Sequence, residues 1–125
     1  MVIVDTSVWV HHFRHGSKSL LNLLGNDQVL CHPLILLEIA CGSPPAPRYK
    51  TLAYIGKLQK AKTATMPEIM NLIESNRLYD SGCGAIDISL LASTLITPEA
   101  EIWTQDKKLE TLAKKLGVSF KPYLH

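Results

Sequence analysis

An apolar run that ends at a carboxylate constrains the fold of this chain more than any other segment. The β-branched residues Val2–Val4 suit a buried central strand. Asp5 follows directly, and we expect Thr6 or Ser7 to cap the next helix, because a side-chain oxygen there can accept an unpaired amide hydrogen. In open parallel sheets this edge is where ligands bind, so Asp5 needs a counter-charge or a function.

The order of elements predicts an α/β fold. Further strands are predicted over 28–31, 101–104 and 118–120, and apolar spacing in the intervening segments predicts helices, including one over 48–60. This alternation is typical of a three-layer, doubly wound parallel sheet of four to five strands flanked by helices. The length of 125 residues is that of one domain, so we expect residues 1–125 to form a single domain.

Composition excludes several other classes of protein. No apolar run approaches the roughly 20 residues of a membrane helix, and the first residues lack the features of a signal peptide. The three cysteines include no CxxC pair, which indicates reduced core thiols rather than a disulfide or a zinc site. We therefore expect a cytoplasmic protein.

Four carboxylates are predicted to meet at one edge of the sheet. Asp5 and Asp106 each follow a strand, and Glu38 and Asp87 belong to helices that begin near the same edge. Glu38 is the only charge in an apolar helix that starts at Pro33, so we expect it to face a cation. Two like charges about 4 Å apart repel by about 4 kcal/mol at an effective dielectric of 20, so the cluster requires a bound cation.

The donor atoms of this cluster indicate which cation. Ligation by oxygen alone favours Mg²⁺ or Mn²⁺, which also bind substrate phosphates, and hydrolysis of a phosphodiester is the reaction class that follows. The alternatives need no metal. Asp5 can be an ordinary turn residue, and an acid in the first turn of a helix, as predicted for Asp87 and Asp106, is favoured by the helix dipole.

Between Glu38 and Glu68 the chain carries five basic residues and no acid. They are Arg48, Lys50, Lys57, Lys60 and Lys62. This stretch can follow a phosphate backbone, with Arg48, Lys50 and Lys57 as candidates for substrate binding, or it can be a solvated helix face.

Two other groups of charged residues receive no role in the site. His11, His12 and His15 have no cysteine or glutamate beside them at metal-ligand spacing. Lys107 and Lys108 are expected only to solvate the last helix.

Four segments together resemble the PIN-domain ribonucleases, and in particular the VapC-type toxins of bacterial toxin–antitoxin pairs. They are VDTS at 4–7, the helix that contains Glu38, GCGAIDISLLAS at 82–93 and TQDKKL at 104–109. The resemblance covers nearly the whole chain and implies a PIN-like fold with a catalytic acidic pocket formed by Asp5, Glu38, Asp87 and Asp106. Asp5, Asp87 and Asp106 are then the expected ligands of Mg²⁺ or Mn²⁺, supported by hydrogen bonds from Thr6, Ser7 and Thr104.

The resemblance also implies a function. Enzymes of this family cut RNA to leave a 5′-phosphate and a 3′-hydroxyl, form homodimers, and are inhibited by a VapB-type antitoxin. Binding to promoter DNA is then expected only through the antitoxin complex. Three alternatives stay open: a PIN-fold module that binds nucleic acid without cutting it, a structure-specific DNA nuclease, and a phosphoacceptor receiver domain. The receiver domain requires two adjacent acids after the first strand, where this chain has Asp5 followed by Thr6 and Ser7.

Overall fold

Four short parallel strands form the central sheet of the computed structural model, which describes residues 1–122. The strands are β1 (Val2–Val4), β2 (Val29–Cys31), β3 (Gln59–Lys60) and β4 (Glu101–Trp103), and their order across the sheet is β3-β2-β1-β4. The predicted strand over 118–120 is reduced to a single parallel bridge between Ile102 and Ser119.

Helices connect and flank the strands. They are α1 (Thr6–His15), α2 (Lys18–Gly25), α3 (Pro33–Cys41), α4 (Arg48–Gly56), α5 (Met66–Asn76), α6 (Ala85–Ile96) and α7 (Lys107–Lys115). The prediction of an α/β fold with a parallel sheet of four to five strands flanked by helices is confirmed. None of the helices in residues 1–122 is long and apolar enough to cross a membrane.

The strand order places a topological switch point between β1 and β4. The chain proceeds from β1 through β2 to β3 on one side and then returns to add β4 on the other side of β1. Ligands of open α/β sheets bind at such a point, outside the carboxyl ends of the strands. The order also differs from the 2-1-3-4-5 order of receiver domains, so the receiver-domain alternative is wrong.

The core lies on both faces of β1 and β4, next to the switch point. Ile3, Val4 and Ile102 are almost completely buried, and so are Leu90 and Leu91 of α6. Close packing of this kind leaves little room for the strands to shift relative to one another. The polar residues that follow β1 and β4 are therefore held at defined positions.

Three local predictions are wrong. Helix α1 begins at Thr6 with Asp5 at its N-cap position, and neither Thr6 nor Ser7 caps it. The helix predicted over 48–60 ends at Gly56, and Gln59–Lys60 pairs instead with β2, because the sheet edge offers these residues backbone partners. The cysteines are free, as predicted, but only Cys31 of the three is fully buried.

Candidate active site

Asp5 lies at the carboxyl end of β1 and is buried. Its amide donates to the carbonyl of Trp103 (2.9 Å), which ties the end of β1 to the end of β4. Its Oδ2 accepts hydrogen bonds from Thr104 Oγ1 (2.7 Å) and Ser7 Oγ (2.9 Å). With 6% of its surface exposed, Asp5 thus has two hydroxyl groups as partners in place of a basic side chain.

The same two hydroxyls organise the turn that carries Asp106. Thr104 Oγ1 accepts from the amide of Asp106 (3.0 Å), and Ser7 Oγ accepts from the amide of Gln105 (3.0 Å). Asp106 is the N-cap of α7, one residue before the predicted first turn, and its Oδ1 accepts from the amide of Leu109 (3.0 Å). One carboxylate oxygen of Asp106 is therefore used as a cap, and the turn is locked to Asp5.

Glu38 is half-buried in the middle of α3. Its Oε1 accepts a hydrogen bond from Thr6 Oγ1 (2.7 Å), the residue next to Asp5. No basic side chain pairs with Glu38 within residues 1–122, where the one ion pair joins Lys114 to Glu110, so the expectation that Glu38 faces a cation stays a prediction. A short hydroxyl contact orients Glu38 instead and leaves its charge without a counter-ion.

Asp87 lies in the first turn of α6, as predicted, and its pKa responds to the charges of the other three carboxylates. The pKa of Asp87 is raised to about 6, mainly by burial and then by the negative charges of Asp5, Asp106 and Glu38 in that order, against a smaller lowering by the Gly84 amide. The structure therefore brings the four predicted residues into one electrostatic field.

Helices α3 and α6, which carry Glu38 and Asp87, are joined by the buried side chain of His32. His32 Nδ1 caps α3 by accepting from the amide of Leu34 (3.1 Å), so Nε2 carries the proton and bonds Ser93 Oγ of α6 (2.9 Å). Burial lowers the pKa of His32, which keeps the ring neutral and this pattern intact. The spacing of the two helices is thus fixed by hydrogen bonds as well as by packing.

A cation lies at the border of the cluster. Burial raises the pKa of the Cys83 thiol, and so do Asp87 and Asp106, whereas Lys108 lowers it. The charges of two carboxylates and one ammonium group thus act on the same thiol. Sequence reasoning gave Lys108 no role because the last helix carries four lysines, and Lys107 shares its place in the first turn, where the helix dipole disfavours cations.

The predicted basic residues lie on and beside α4. The Arg48 guanidinium bonds the carbonyls of Ala40 and Gly42 at the end of α3. Lys50 and Lys57 are exposed. Their part in substrate binding stays a prediction.

The site has room for a substrate beside Glu38. A cavity of about 290 Å³ opens between α1, α3 and the loop after α3, and its walls include Glu38, Arg14, Phe13 and Pro44. Acidic and basic side chains thus share one recess. A phosphate that contacts Arg14 there is repelled by the carboxylate of Glu38.

The donor atoms around Asp5 fit a hard cation, although the ligands are not drawn together. Within residues 1–122, no three His, Cys, Asp or Glu side chains stand in metal-binding geometry. Mg²⁺ does not require such a cage, because it commonly binds through one or two carboxylates, several waters and substrate phosphates. Carboxylate and hydroxyl oxygens with uncompensated negative charge match that chemistry.

The switch-point edge with its four carboxylates defines an α/β protein of the PIN-like class. No family model matches the chain. Two curated proteins, each named Ribonuclease VapC32, come from Mycobacterium tuberculosis strains CDC 1551/Oshkosh and ATCC 25618/H37Rv. Both are 38% identical to this chain over 119 residues, which is 95% of either sequence. The chain belongs to the VapC family of ribonucleases, which confirms the resemblance found in its motifs.

Proposed function

We propose that this protein is a metal-dependent endoribonuclease that hydrolyses RNA phosphodiesters and acts as the toxin of a VapBC-type toxin–antitoxin pair. The observation that carries the proposal is the common field of Asp5, Glu38, Asp87 and Asp106 at the switch point. These residues come from four separate segments of the chain, which a purely structural role would not require. The family relationship to proteins named Ribonuclease VapC32 supports RNA as the substrate.

We propose Mg²⁺ or Mn²⁺ as the cofactor, with Asp5, Asp87 and Asp106 as the residues that would hold it. When bound, such an ion supplies positive charge to the scissile phosphate and to the leaving oxygen. Thr104 and Ser7 fix the orientation of Asp5, and Thr6 fixes that of Glu38. One of the four carboxylates takes the proton of the attacking water, since a positioned carboxylate can act as a general base.

Asp5→Asn tests the proposal most directly. Asparagine keeps the size of the side chain and one carbonyl acceptor, so the fold should survive while the charge is lost. We expect wild-type protein with Mg²⁺ to cut RNA to products with 5′-phosphates, and we expect neither Asp5→Asn nor EDTA-treated protein to do so. Protein that binds RNA without cutting it would favour the binding module, and faster cleavage of DNA would favour the DNA nuclease.

Asp27→Asn is the matched control for this experiment. Asp27 precedes β2 and therefore lies at the opposite edge of the sheet from Asp5. It has a positive φ of 55°, which asparagine also adopts readily, and asparagine can still accept the hydrogen bond from Gln59 Nε2 (2.7 Å). This variant should cut RNA at the wild-type rate.

The remaining parts of the proposal concern partners. We propose that a VapB-type antitoxin inhibits the protein and that the active form is a homodimer. Promoter DNA is bound only through the antitoxin complex. The chain forms a single domain, residues 1–125, and acts in the cytoplasm. Exposed apolar side chains such as Leu21, Leu37, Met66 and Met70 supply surface for these contacts. Co-purification with the product of the neighbouring open reading frame, followed by light scattering of each species, tests both contacts.

A further inference from the structure

Lys108 lies directly across a glycine in the loop before α6. A Cβ atom at Gly82 would lie 2.9 Å from Lys108 Cδ and 3.2 Å from both Cε and Nζ. Gly82 also has a φ of +86°, which side-chain-bearing residues rarely adopt. The lysine side chain thus lies against the loop that leads to Asp87, at a position where only glycine leaves room for it.

The contact with Gly82 holds the Lys108 side chain against the loop that leads to Asp87. Lys108 is two residues from Asp106, and its charge reaches Cys83 together with those of Asp87 and Asp106. The side chain is exposed, and within residues 1–122 it makes no ion pair. The charge is therefore available to a ligand.

The stability of α7 does not explain this placement. Lys107 and Lys108 are the first residues of α7, where the positive end of the helix dipole disfavours cations. Lys114 and Lys115 at the other end are placed favourably, and Lys114 also pairs with Glu110 (3.1 Å). A lysine at the unfavourable end, laid over a glycine beside carboxylates, indicates a function in binding.

We propose that Lys108 binds a backbone phosphate of the RNA adjacent to the bond that is cut. This inference rests on the proposed ribonuclease function and adds a residue that holds the substrate. A polyanion approaching four carboxylates is repelled, and a flexible ammonium group at their border offsets that repulsion at one phosphate. Since the contact is with a neighbouring phosphate, it should affect ground state and transition state alike.

The expected effect follows from counter-ion release. For single strands, each phosphate contact contributes about 0.7 to the slope of log affinity against log salt concentration. Loss of one contact should therefore reduce that slope by about 0.7 and weaken binding about fourfold at about 0.15 M salt. The cleavage reaction should show a KM raised by about the same factor, with kcat changed by less than about twofold.

The experiment measures binding separately from cleavage. Asp5→Asn and Asp5→Asn/Lys108→Met proteins are titrated with a short fluorescent single-stranded RNA in Mg²⁺, at salt concentrations between about 50 and about 200 mM. Lys107→Met in the same background is the matched control. Lys107 is exposed in the same turn, and its substitution removes the same charge. We expect the reduced slope for Lys108→Met, the parent slope for Lys107→Met, and recovery of the slope by Lys108→Arg.

A thermal melt of the single variant Lys108→Met separates a role in binding from a role in stability. Lys108→Met removes a charge that opposes the helix dipole but also attracts the nearby carboxylates, so its Tm should stay within about 4 °C of that of the parent. Equal slopes for the two methionine variants, no measurable binding by the Asp5→Asn parent, or a Tm lowered by more than about 4 °C for Lys108→Met would each overturn the inference. Failure of the ribonuclease function is separate, because it appears as wild-type protein that does not cut RNA.

Discussion

Replacement of Asp87 by asparagine should make the metal-free protein more stable while abolishing RNA cleavage. Asparagine is neutral, keeps a carbonyl oxygen for the Gly84 amide, and has nearly the same volume. The change therefore removes the cost of burying a charge and the repulsion from Asp5, Asp106 and Glu38, with little effect on packing. A substitution that raises stability and abolishes activity is expected where a residue needed for function carries a charge that its surroundings disfavour.

The magnitude follows from the pKa of Asp87. Its rise from 3.8 to about 6 corresponds to about 3 kcal/mol of folding free energy, at about 1.36 kcal/mol per pKa unit. The side chain is only half-buried, so screening by solvent reduces this to about 1 to 2 kcal/mol. The folded protein holds the proton more tightly than the unfolded chain. The contribution of Asp87 to stability is thus fully present below about pH 4 and lost as the pH rises through about 6.

Urea denaturation in EDTA at about pH 4 and about pH 7.5 measures this difference. Asp87→Asn and wild type should unfold with nearly equal free energies at the lower pH. At the higher pH the variant should be more stable by about 1 to 2 kcal/mol, and Asp27→Asn should lack this gain. A variant less stable than wild type at about pH 7.5, or a difference that does not grow with pH, would refute a raised pKa for Asp87 in the folded protein.

Two further predictions concern hydroxyl groups. Thr104→Val leaves the buried Asp5 carboxylate and the Asp106 amide each short of a partner, so it should lower the free energy of unfolding by about 1 to 3 kcal/mol and slow cleavage. Denaturation and RNA cleavage measure these effects, and Thr104→Ser should restore both. Ser93→Ala removes the acceptor of His32 Nε2 and of one loop amide, and urea denaturation should show a loss of about 1 to 3 kcal/mol. A loss below about 0.5 kcal/mol would contradict the proposed role of this link between α3 and α6.

Local patterns predicted the elements that carry the site. The β-branched run Val2–Val4, the proline at the start of α3 and the apolar segment of α6 each have a signature that is read within a few residues. Strand β3 has none, because Gln59–Lys60 is short, polar and exposed. Its conformation comes from pairing with β2, whose backbone groups at the sheet edge would otherwise have no partner.

The sequence by itself predicted the four carboxylates of the candidate site, since acids placed just after apolar strands or within apolar helices are costly unless they are used. Only the tertiary structure decided how those acids are held. Thr6 bonds Glu38 across 32 residues, Thr104 bonds Asp5 across 99, and Lys108 lies over Gly82 rather than simply facing solvent. The physical reason is that a hydroxyl takes whichever acceptor lies within hydrogen-bonding distance, and sheet order and helix packing set that distance.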